Sequence, residues 1–273
     1  MRNIVIIPNV NKDVGLLVTA SVVKKLMALG FNVYLENGEQ YGAISYAVFP
    51  SCAELIIVVG GDGSVIDASR LAVNHDIPLV GVNLGKVGYL SEIDPRELSV
   101  LDALLNGEYS IENKMLLSLD RAENVYAVND VVISHSDCIG ISSFKIEDSL
   151  GNSLGYRADG VIIATPQGST AYSLSSGGPV VAHDVRSILV TPVCTHSFFN
   201  RSVLFNSTEV ITVTNTGDRD LNIAIDGRVC SVLGAGESCR VGTAMQSLKM
   251  LTFSKNSMFS GLFKKMSILE GFK

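Results

Sequence analysis

The sequence predicts two domains of different class: an α/β N-terminal domain with an open, mainly parallel sheet, and a mainly β C-terminal domain. In about the first hundred residues, continuous apolar strands alternate with helical patterns, which is typical of a parallel sheet covered on both faces. After about Gly107, short strands separated by turn residues replace this alternation. A last helical pattern predicts a C-terminal helix that packs back on a domain. We therefore expect the domains to cover residues 1–105 and 106–273.

The elements of the first domain each have a local signal. Apolar residues at helical spacing fill residues 13–29, and Gly30 ends that pattern. Asp94 suits a helix N-cap and Pro95 suits the first helical position. The predicted strands cover residues 3–7, 31–35, 55–59 and 78–82, and the predicted helices cover 13–29, 64–74 and 95–105.

Turn residues divide the second half of the chain into strands. Gly151-Asn152 and Asp226-Gly227 each favour a tight turn between two strand-like runs. The predicted strands cover residues 109–119, 126–134, 142–147, 156–164, 209–214, 221–225 and 229–233, and the predicted last helix covers 258–272.

The composition excludes several classes of protein. The chain has 273 residues, of which 47% are hydrophobic and 18% are charged, so it can bury a large core. Its formal net charge is −6 and it has no basic block, so nucleic acid is a poor partner. No apolar run approaches the roughly 20 residues that span a bilayer, so we expect a cytoplasmic protein with no membrane partner. The five cysteines include no CxxC pair, which argues against a disulfide framework or a zinc site.

The strongest chemical signal is Gly60-Gly61-Asp62-Gly63, directly after the strand predicted at 55–59. Ligands of open α/β sheets bind beyond the carboxyl ends of the strands, and glycines let backbone N–H groups approach phosphate oxygens. Asp62 repels phosphate, so its presence makes sense if the carboxylate takes a proton from a bound hydroxyl or holds a divalent metal. Alternatively, Asp62 occupies an ordinary turn, since Asp-Gly is common there. The chain has neither a Walker A motif nor a GxGxxG fingerprint.

Further polar groups follow other predicted strands. Lys86 lies in the glycine-containing segment 83–92, beside the first loop. Asn129-Asp130 interrupts an apolar run, which fits either nucleotide recognition or a strand start. The segment 165–179 is rich in hydroxyl and amide groups, and we expect Tyr172 and Leu174 to anchor it as a loop and short helix that grips a nucleotide.

Taken together, these motifs resemble the NAD kinase family. The resemblance covers roughly residues 1 to 270 and is most specific in the segment 165–179. The matching motifs are Gly60-Gly-Asp-Gly63, Asn83-x-Gly-x-x-Gly-Tyr-Leu90, Asn129-Asp130, Asp159-Gly160 and Thr165-Pro-x-Gly-Ser-Thr-Ala-Tyr-Ser-Leu-Ser-x-Gly-Gly-Pro179.

The resemblance implies phosphoryl transfer from ATP, or from polyphosphate in some members, to the 2′-hydroxyl of the adenosine ribose of NAD. Asp62 then matches the general base, and Gly60, Gly61 and Gly63 form the phosphate loop. The positions that match NAD contacts are Asp62, Gly63, Asn129, Asp130, Arg157, Asp159, Thr170, Ala171, Tyr172, Ser173, Leu174, Ser175 and Arg228, with weaker matches at Gly140 and Ser187. The resemblance also implies a homodimer or homotetramer, in which Asp159 partly serves an adjoining subunit.

The charge balance adds one requirement to this interpretation. Phosphoryl transfer depends on positioning and charge neutralisation. Because the chain is acidic and lacks a Walker A lysine, we expect the triphosphate to be held by glycine-loop amides and a divalent cation, Mg²⁺ or Mn²⁺. No residue is assigned as a metal ligand.

Three departures and two alternatives accompany the resemblance. The stretch at residues 195–202 only loosely resembles the family's His-containing segment. Gln167 stands where the family usually has Thr, and Asp130 stands where many members have Glu. A lipid kinase shares the Gly-Gly-Asp-Gly loop, although the segment 165–179 argues against it. A non-catalytic NAD-binding protein is the other alternative.

Overall fold

The computed structural model describes residues 2–85, 88–135 and 140–253. The chain divides into two compact units, one formed by residues 2–113 with 248–253 and the other by Lys114–Ser247. The border expected at 105 falls inside the short helix α3 (Ala103–Asn106) of the first unit. The helix predicted at 258–272 and the candidate Lys86 lie outside the described residues.

The first unit is built on a parallel sheet, as the sequence predicts. Its strands are β1 (Asn3–Pro8), β2 (Asn32–Leu35), β3 (Ile44–Ser45), β4 (Leu55–Gly60), β5 (Leu79–Asn83) and β6 (Ser91–Ile93). They pair in the order β3-β2-β1-β4-β5, and β5 also pairs with β6 and with the end of the long strand β18 (Ser238–Thr252).

Two helices cover this sheet. The helix α1 (Leu17–Ala28) contacts β1 and β2, and α2 (Asp62–Asn74) contacts β4 and β5. The strand order reverses direction at β1, which has β2 on one side and β4 on the other. In open α/β sheets the crevice beyond the carboxyl ends of two such strands is the usual place for a ligand.

The second unit contains two antiparallel sheets whose inner faces share one core, with Phe144 and Tyr156 from one sheet packed among Ile133 and Ile163 from the other. One sheet holds β7 (Ser110–Leu119), β8 (Ala122–Ala127), β10 (Ser142–Glu147), β11 (Ser153–Ala158), β15 (Val210–Asn215) and most of β18 (Ser238–Thr252). The other holds β9 (Asp130–His135), β12 (Gly160–Ala164), β13 (Ser187–Val193), β14 (Val203–Asn206), β16 (Leu221–Ile225) and β17 (Arg228–Leu233), and the short helix α4 (Tyr172–Ser175) follows β12.

Several predicted elements are wrong in detail. The strand predicted at 126–134 is interrupted at residues 128 and 129, and the one predicted at 156–164 is interrupted at Asp159, so that each run feeds two strands of different sheets. The helix predicted to start at Pro95 starts only at Leu98, as a 3-10 turn. Asp94 accepts a hydrogen bond from the Arg96 N–H instead of capping a helix. No helix in the described ranges is long and apolar enough to cross a membrane.

Candidate active site

The glycine motif of the first unit joins β4 directly to α2. Gly60 ends the strand, Gly61 caps the helix with an extended backbone, and Asp62 is the first helical residue, two positions earlier than predicted. A Cβ on Gly60 would stand 2.4 Å from the Ser64 Oγ, whereas one on Gly63 would meet nothing within 4 Å. Gly60 is therefore required by packing inside the protein, and Gly63 leaves an open face.

The first turn of α2 also carries hydrogen-bond donors. In the described part of the chain, the N–H groups of Asp62 and Gly63 have no acceptor, as expected for the first residues of a helix. Such donors, together with the positive end of the helix dipole, make the start of α2 suitable for a phosphate group.

The side chain of Asp62 is held by the segment that leads into β6 and by the first residue of that strand. Its Oδ2 accepts the Tyr89 N–H at 2.7 Å, and its Oδ1 accepts the N–H groups of Leu90 at 3.0 Å and Ser91 at 3.2 Å. A Cβ on Gly88 would stand 2.9 Å from Oδ1, so only glycine leaves room for this approach. The carboxylate is thus held in one orientation, and a carboxylate oxygen with a single donor, such as Oδ2, retains a lone pair for a further partner.

A second aspartate performs a similar task in the other unit. Asp226 lies in the two-residue turn between β16 and β17, at a φ of 46°, and is followed by Gly227 at 80°. Its carboxylate accepts the backbone N–H groups of Val128, Asn129 and Asp130 at 2.8 to 3.1 Å. This contact interrupts the predicted strand and fixes the backbone of Asn129, whose side-chain amide has no partner among the described residues.

Asp130 is buried beside this clamp, with an exposed fraction of 5%. Burial, and secondarily the charge of Asp226, raise its pKa to about 7. Burial also raises the pKa of Asp226, against the three N–H groups that favour its ionised form. The unit therefore holds two carboxyl groups close together that resist being charged at the same time.

The segment after β12 packs against the same backbone. The Thr165 Oγ1 donates to the Val128 carbonyl oxygen at 2.7 Å and accepts the Gly168 N–H at 2.9 Å. A Cβ on Gly168 would stand 2.0 Å from the Asn129 carbonyl oxygen, so glycine is required there. The expected anchors are wrong, because Tyr172 and Leu174 are exposed. Buried hydroxyls anchor this segment instead.

One such hydroxyl is that of Ser169, which accepts the Val181 N–H at 3.0 Å. Another is that of Ser173, which lies 2.9 Å from the Thr191 hydroxyl, itself 3.0 Å from the Ser202 hydroxyl. These bonds keep the short helix α4 in place although its outer side chains face solvent.

Comparison with known proteins decides the family. Residues 4–109 match the ATP-NAD kinase N-terminal domain, and residues 128–253 match the ATP-NAD kinase C-terminal domain. The chain belongs to the NAD kinase family. The NAD kinase of Natranaerobius thermophilus is 34% identical over 98% of both chains, and that of Thermoanaerobacter sp. strain X514 is 38% identical over 84% of this chain and 86% of its own.

Solved structures of NAD kinases and their relatives share the fold. A crystal structure of yeast NADH kinase complexed with NADH superposes with a TM-score of 0.81 at 21% identity, covering 100% of this chain and 88% of its own. An NAD kinase from Archaeoglobus fulgidus in complex with ATP superposes with a TM-score of 0.78 at 22% identity, covering 98% of this chain and 99% of its own.

The residues matched to the NAD kinase pattern form two groups in the second unit. Asn129 and Asp130 lie together with the segment 165–175 at one end of β12, since Asp130 pairs with Ala164. Arg157 and Asp159 lie at the opposite end, because Gly160 pairs with Ser134. At a rise of about 3.3 Å per residue, the length of β12 separates the two groups.

The remaining matched positions have less in common. Gly140 lies against the His135 ring at a φ of 155°, Arg228 is exposed at the start of β17, and the buried Ser187 Oγ has no hydrogen-bond partner in the described part. Thr170 and Ser173 are buried, whereas Ser175 is exposed and Ala171 is half-buried.

Sequence reasoning missed two parts of the site. It interpreted Asp226 only as a turn residue, since an Asp-Gly pair carries no signal for the backbone that its carboxylate binds. It also missed the segment from Asn9 to Lys12, whose side chains contact the glycine loop. Its position after the first strand was the available signal, because the carboxyl ends of parallel strands share one edge.

The two loop glycines give a matched pair of variants. Gly60→Ala should lower the free energy of unfolding by about 1–3 kcal/mol, because its methyl group overlaps Ser64. Gly63→Ala should leave stability unchanged or raised, since alanine favours a helix. If the open face receives a phosphate, Gly63→Ala should still lose at least about tenfold in kcat/KM. Urea unfolding and steady-state kinetics measure both effects, and full activity of Gly63→Ala would contradict the assignment.

The Asp130 carboxyl predicts a particular pH dependence of stability. Its pKa is about 7 in the folded protein and about 3.9 in an unfolded chain, so the folded state binds the proton more tightly. The contribution of this group to the free energy of unfolding is therefore present at low pH and is lost as pH rises from about 4 to 7. When the pH is raised from 5 to 8, the free energy of unfolding should fall less for Asp130→Asn than for the wild type, and the difference should be at least about 1 kcal/mol.

Asp226→Asn is the matched control for that measurement. It keeps the side-chain shape and tolerates the positive φ, but turns a donor toward the N–H groups of residues 128–130. It should lower the free energy of unfolding by about 1–3 kcal/mol. It should also shift the pH dependence of stability that Asp130 causes to lower pH. Identical pH profiles for the wild type and Asp130→Asn would refute the assigned cause.

Proposed function

We propose that this chain transfers the terminal phosphoryl group of ATP to the 2′-hydroxyl of the adenosine ribose of NAD, giving NADP. The observation that carries this proposal is the orientation of Asp62, whose carboxylate is locked at the phosphate loop by three backbone N–H groups. The two relatives compared above are named NAD kinase, which agrees with this reaction, and neither is named a lipid kinase.

Asp62 acts as the general base in this proposal. Its Oδ2 accepts only the Tyr89 N–H within the described residues, so it can also accept the proton of a hydroxyl. As the hydroxyl oxygen attacks phosphorus, its proton passes to Oδ2 and the bond to the leaving oxygen of the donor breaks. The donors that fix the carboxylate remove the need for it to reorient during the reaction.

The second unit supplies the groups proposed to recognise NAD. The side-chain amide of Asn129, which has no partner among the described residues, offers both a donor and an acceptor to a nucleotide base, and Asp130 can bond to ribose hydroxyls. Further proposed contacts to NAD come from the segment from Thr170 to Ser175, Arg157 and Arg228, while Asp159 serves the nicotinamide end. A homodimer or homotetramer stays a prediction.

A divalent cation, Mg²⁺ or Mn²⁺, fits these residues as a companion of the donor. The described residues contain no group of three or more His, Cys, Asp or Glu that could form a protein cage for a metal. Magnesium commonly keeps several waters and binds largely through substrate phosphates, so the phosphates of the donor would hold it here without a protein cage. When bound, the cation neutralises phosphate charge.

Asp62→Asn tests the base assignment. The variant should lose at least about a hundredfold in the rate of NADP formation from ATP, Mg²⁺ and NAD, because the amide cannot take the proton. Thermal unfolding and NAD titration check that fold and binding survive. If the carboxylate only held the metal, high Mg²⁺ should partly restore the activity of the variant. If the carboxylate is the base, the loss of activity should persist at saturating Mg²⁺. Near-normal turnover by a folded variant would sink the assignment.

Removing the metal is an independent test. Excess chelator should abolish NADP formation, and adding back Mg²⁺ or Mn²⁺ should restore it, because the acidic chain alone cannot offset the donor's charge. Full activity in chelator would contradict the requirement for a divalent cation.

A further inference from the structure

The segment after β1 places a lysine ammonium against the glycine loop. The Lys12 Nζ lies 2.9 Å from the position that a Cβ on Gly61 would occupy. Lys12 follows β1 and Gly61 follows β4, and these two strands are neighbours at the point where the strand order of the sheet reverses. The ammonium therefore lies in the crevice that open α/β sheets use for ligands.

Hydrogen bonds hold the backbone around Lys12 in place. The Asn9 Oδ1 accepts the N–H of Asn11 at 3.2 Å and that of Lys12 at 3.1 Å, while the Asn9 Nδ2 donates to the Ser64 Oγ at 2.7 Å. The Asn9 N–H donates to the Val59 carbonyl oxygen at 2.8 Å. Asn9 thus ties this turn both to the end of β4 and to the first turn of α2.

The next residue anchors the other end of the turn. The buried Asp13 carboxylate accepts the N–H groups of Val18 at 3.0 Å and Thr19 at 2.8 Å, and the Thr19 hydroxyl at 2.6 Å. With both neighbours fixed, the base of the Lys12 side chain has a defined position.

No ion pair among the described residues neutralises the charge of Lys12. Its side chain is exposed, and in the described part of the chain no carboxylate lies within ion-pair distance of its ammonium. A cation beside the cap residue of α2 opposes the helix dipole, an arrangement that disfavours the folded state. The arrangement becomes favourable once an anion lies between the ammonium and the N–H groups of Asp62 and Gly63.

We infer that Lys12 binds the terminal phosphates of the phosphate donor, which makes it a phosphate-binding residue of the reaction proposed above. An ammonium is a compact point charge suited to phosphate oxygens whose exact orientation varies. It supplies from outside the glycine loop the positive charge that a Walker A lysine supplies from within. It also offsets the charge that develops on the leaving phosphate oxygen as phosphoryl transfer proceeds.

The test compares Lys12→Met, Lys12→Arg and a control, Lys24→Met, which neutralises an exposed lysine on α1. Binding of ATP and of inorganic triphosphate, each with Mg²⁺, is measured by calorimetry, and NADP formation is measured in parallel. Lys12→Met should weaken binding of both donors and raise the KM for ATP by at least about tenfold, because a charged hydrogen bond is lost. The KM for NAD should stay within about twofold, Lys12→Arg should recover much of the loss, and Lys24→Met should match the wild type.

The outcomes separate this inference from the proposed function. If the wild type binds triphosphate, and Lys12→Met weakens that binding, but no NADP forms, then Lys12 stands as a phosphate-binding residue and the proposed reaction fails. If NADP forms and Lys12→Met leaves the KM for ATP and triphosphate affinity within about twofold, the inference about Lys12 is overturned while the reaction stands. A wild type that binds neither donor overturns both, and an equal loss in Lys24→Met overturns the specific role of Lys12.

Discussion

The hydrogen bonds from Tyr89, Leu90 and Ser91 to the Asp62 carboxylate hold the first unit's site together. They join the start of α2 to the segment that leads into β6, so neither can move without the other. Because charged acceptors form strong hydrogen bonds with N–H groups, one short side chain fixes two pieces of backbone. Gly88 follows from this constraint, since only glycine leaves room for the carboxylate there, whereas Gly60 is required separately by its contact with Ser64.

The same physical arrangement recurs independently in the second unit. Asp226 also uses one carboxylate to hold consecutive backbone N–H groups, those of residues 128–130, and thereby positions Asn129. Here the arrangement has an electrostatic cost, because the buried Asp130 lies beside the clamp and its pKa rises to about 7. A buried carboxyl that is costly to ionise is more often found at functional sites than elsewhere.

Local charge resolves the apparent conflict between an acidic chain and a phosphate donor. The net charge of −6 disfavours an anion at long range, but binding depends on the groups within a few ångströms. At the loop these groups are the N–H donors of the first turn of α2 and the ammonium of Lys12. Asn9, which bonds to the first turn of α2 and to the turn carrying Lys12, makes the cation and the donors parts of one structure.

The sequence by itself determined the two fold classes, the strands at 142–147 and 221–225, and the motifs that mark the family, because periodicity and turn chemistry are local properties. It could not show that the runs at 126–134 and 156–164 each break, since the partner that interrupts the first is Asp226, far along the chain. For the same reason, only the tertiary structure decided that Asp226 is a clamp rather than merely a turn residue. It also decided that Lys12 reaches Gly61, because neighbouring parallel strands bring together the loops that follow them whatever their separation in sequence.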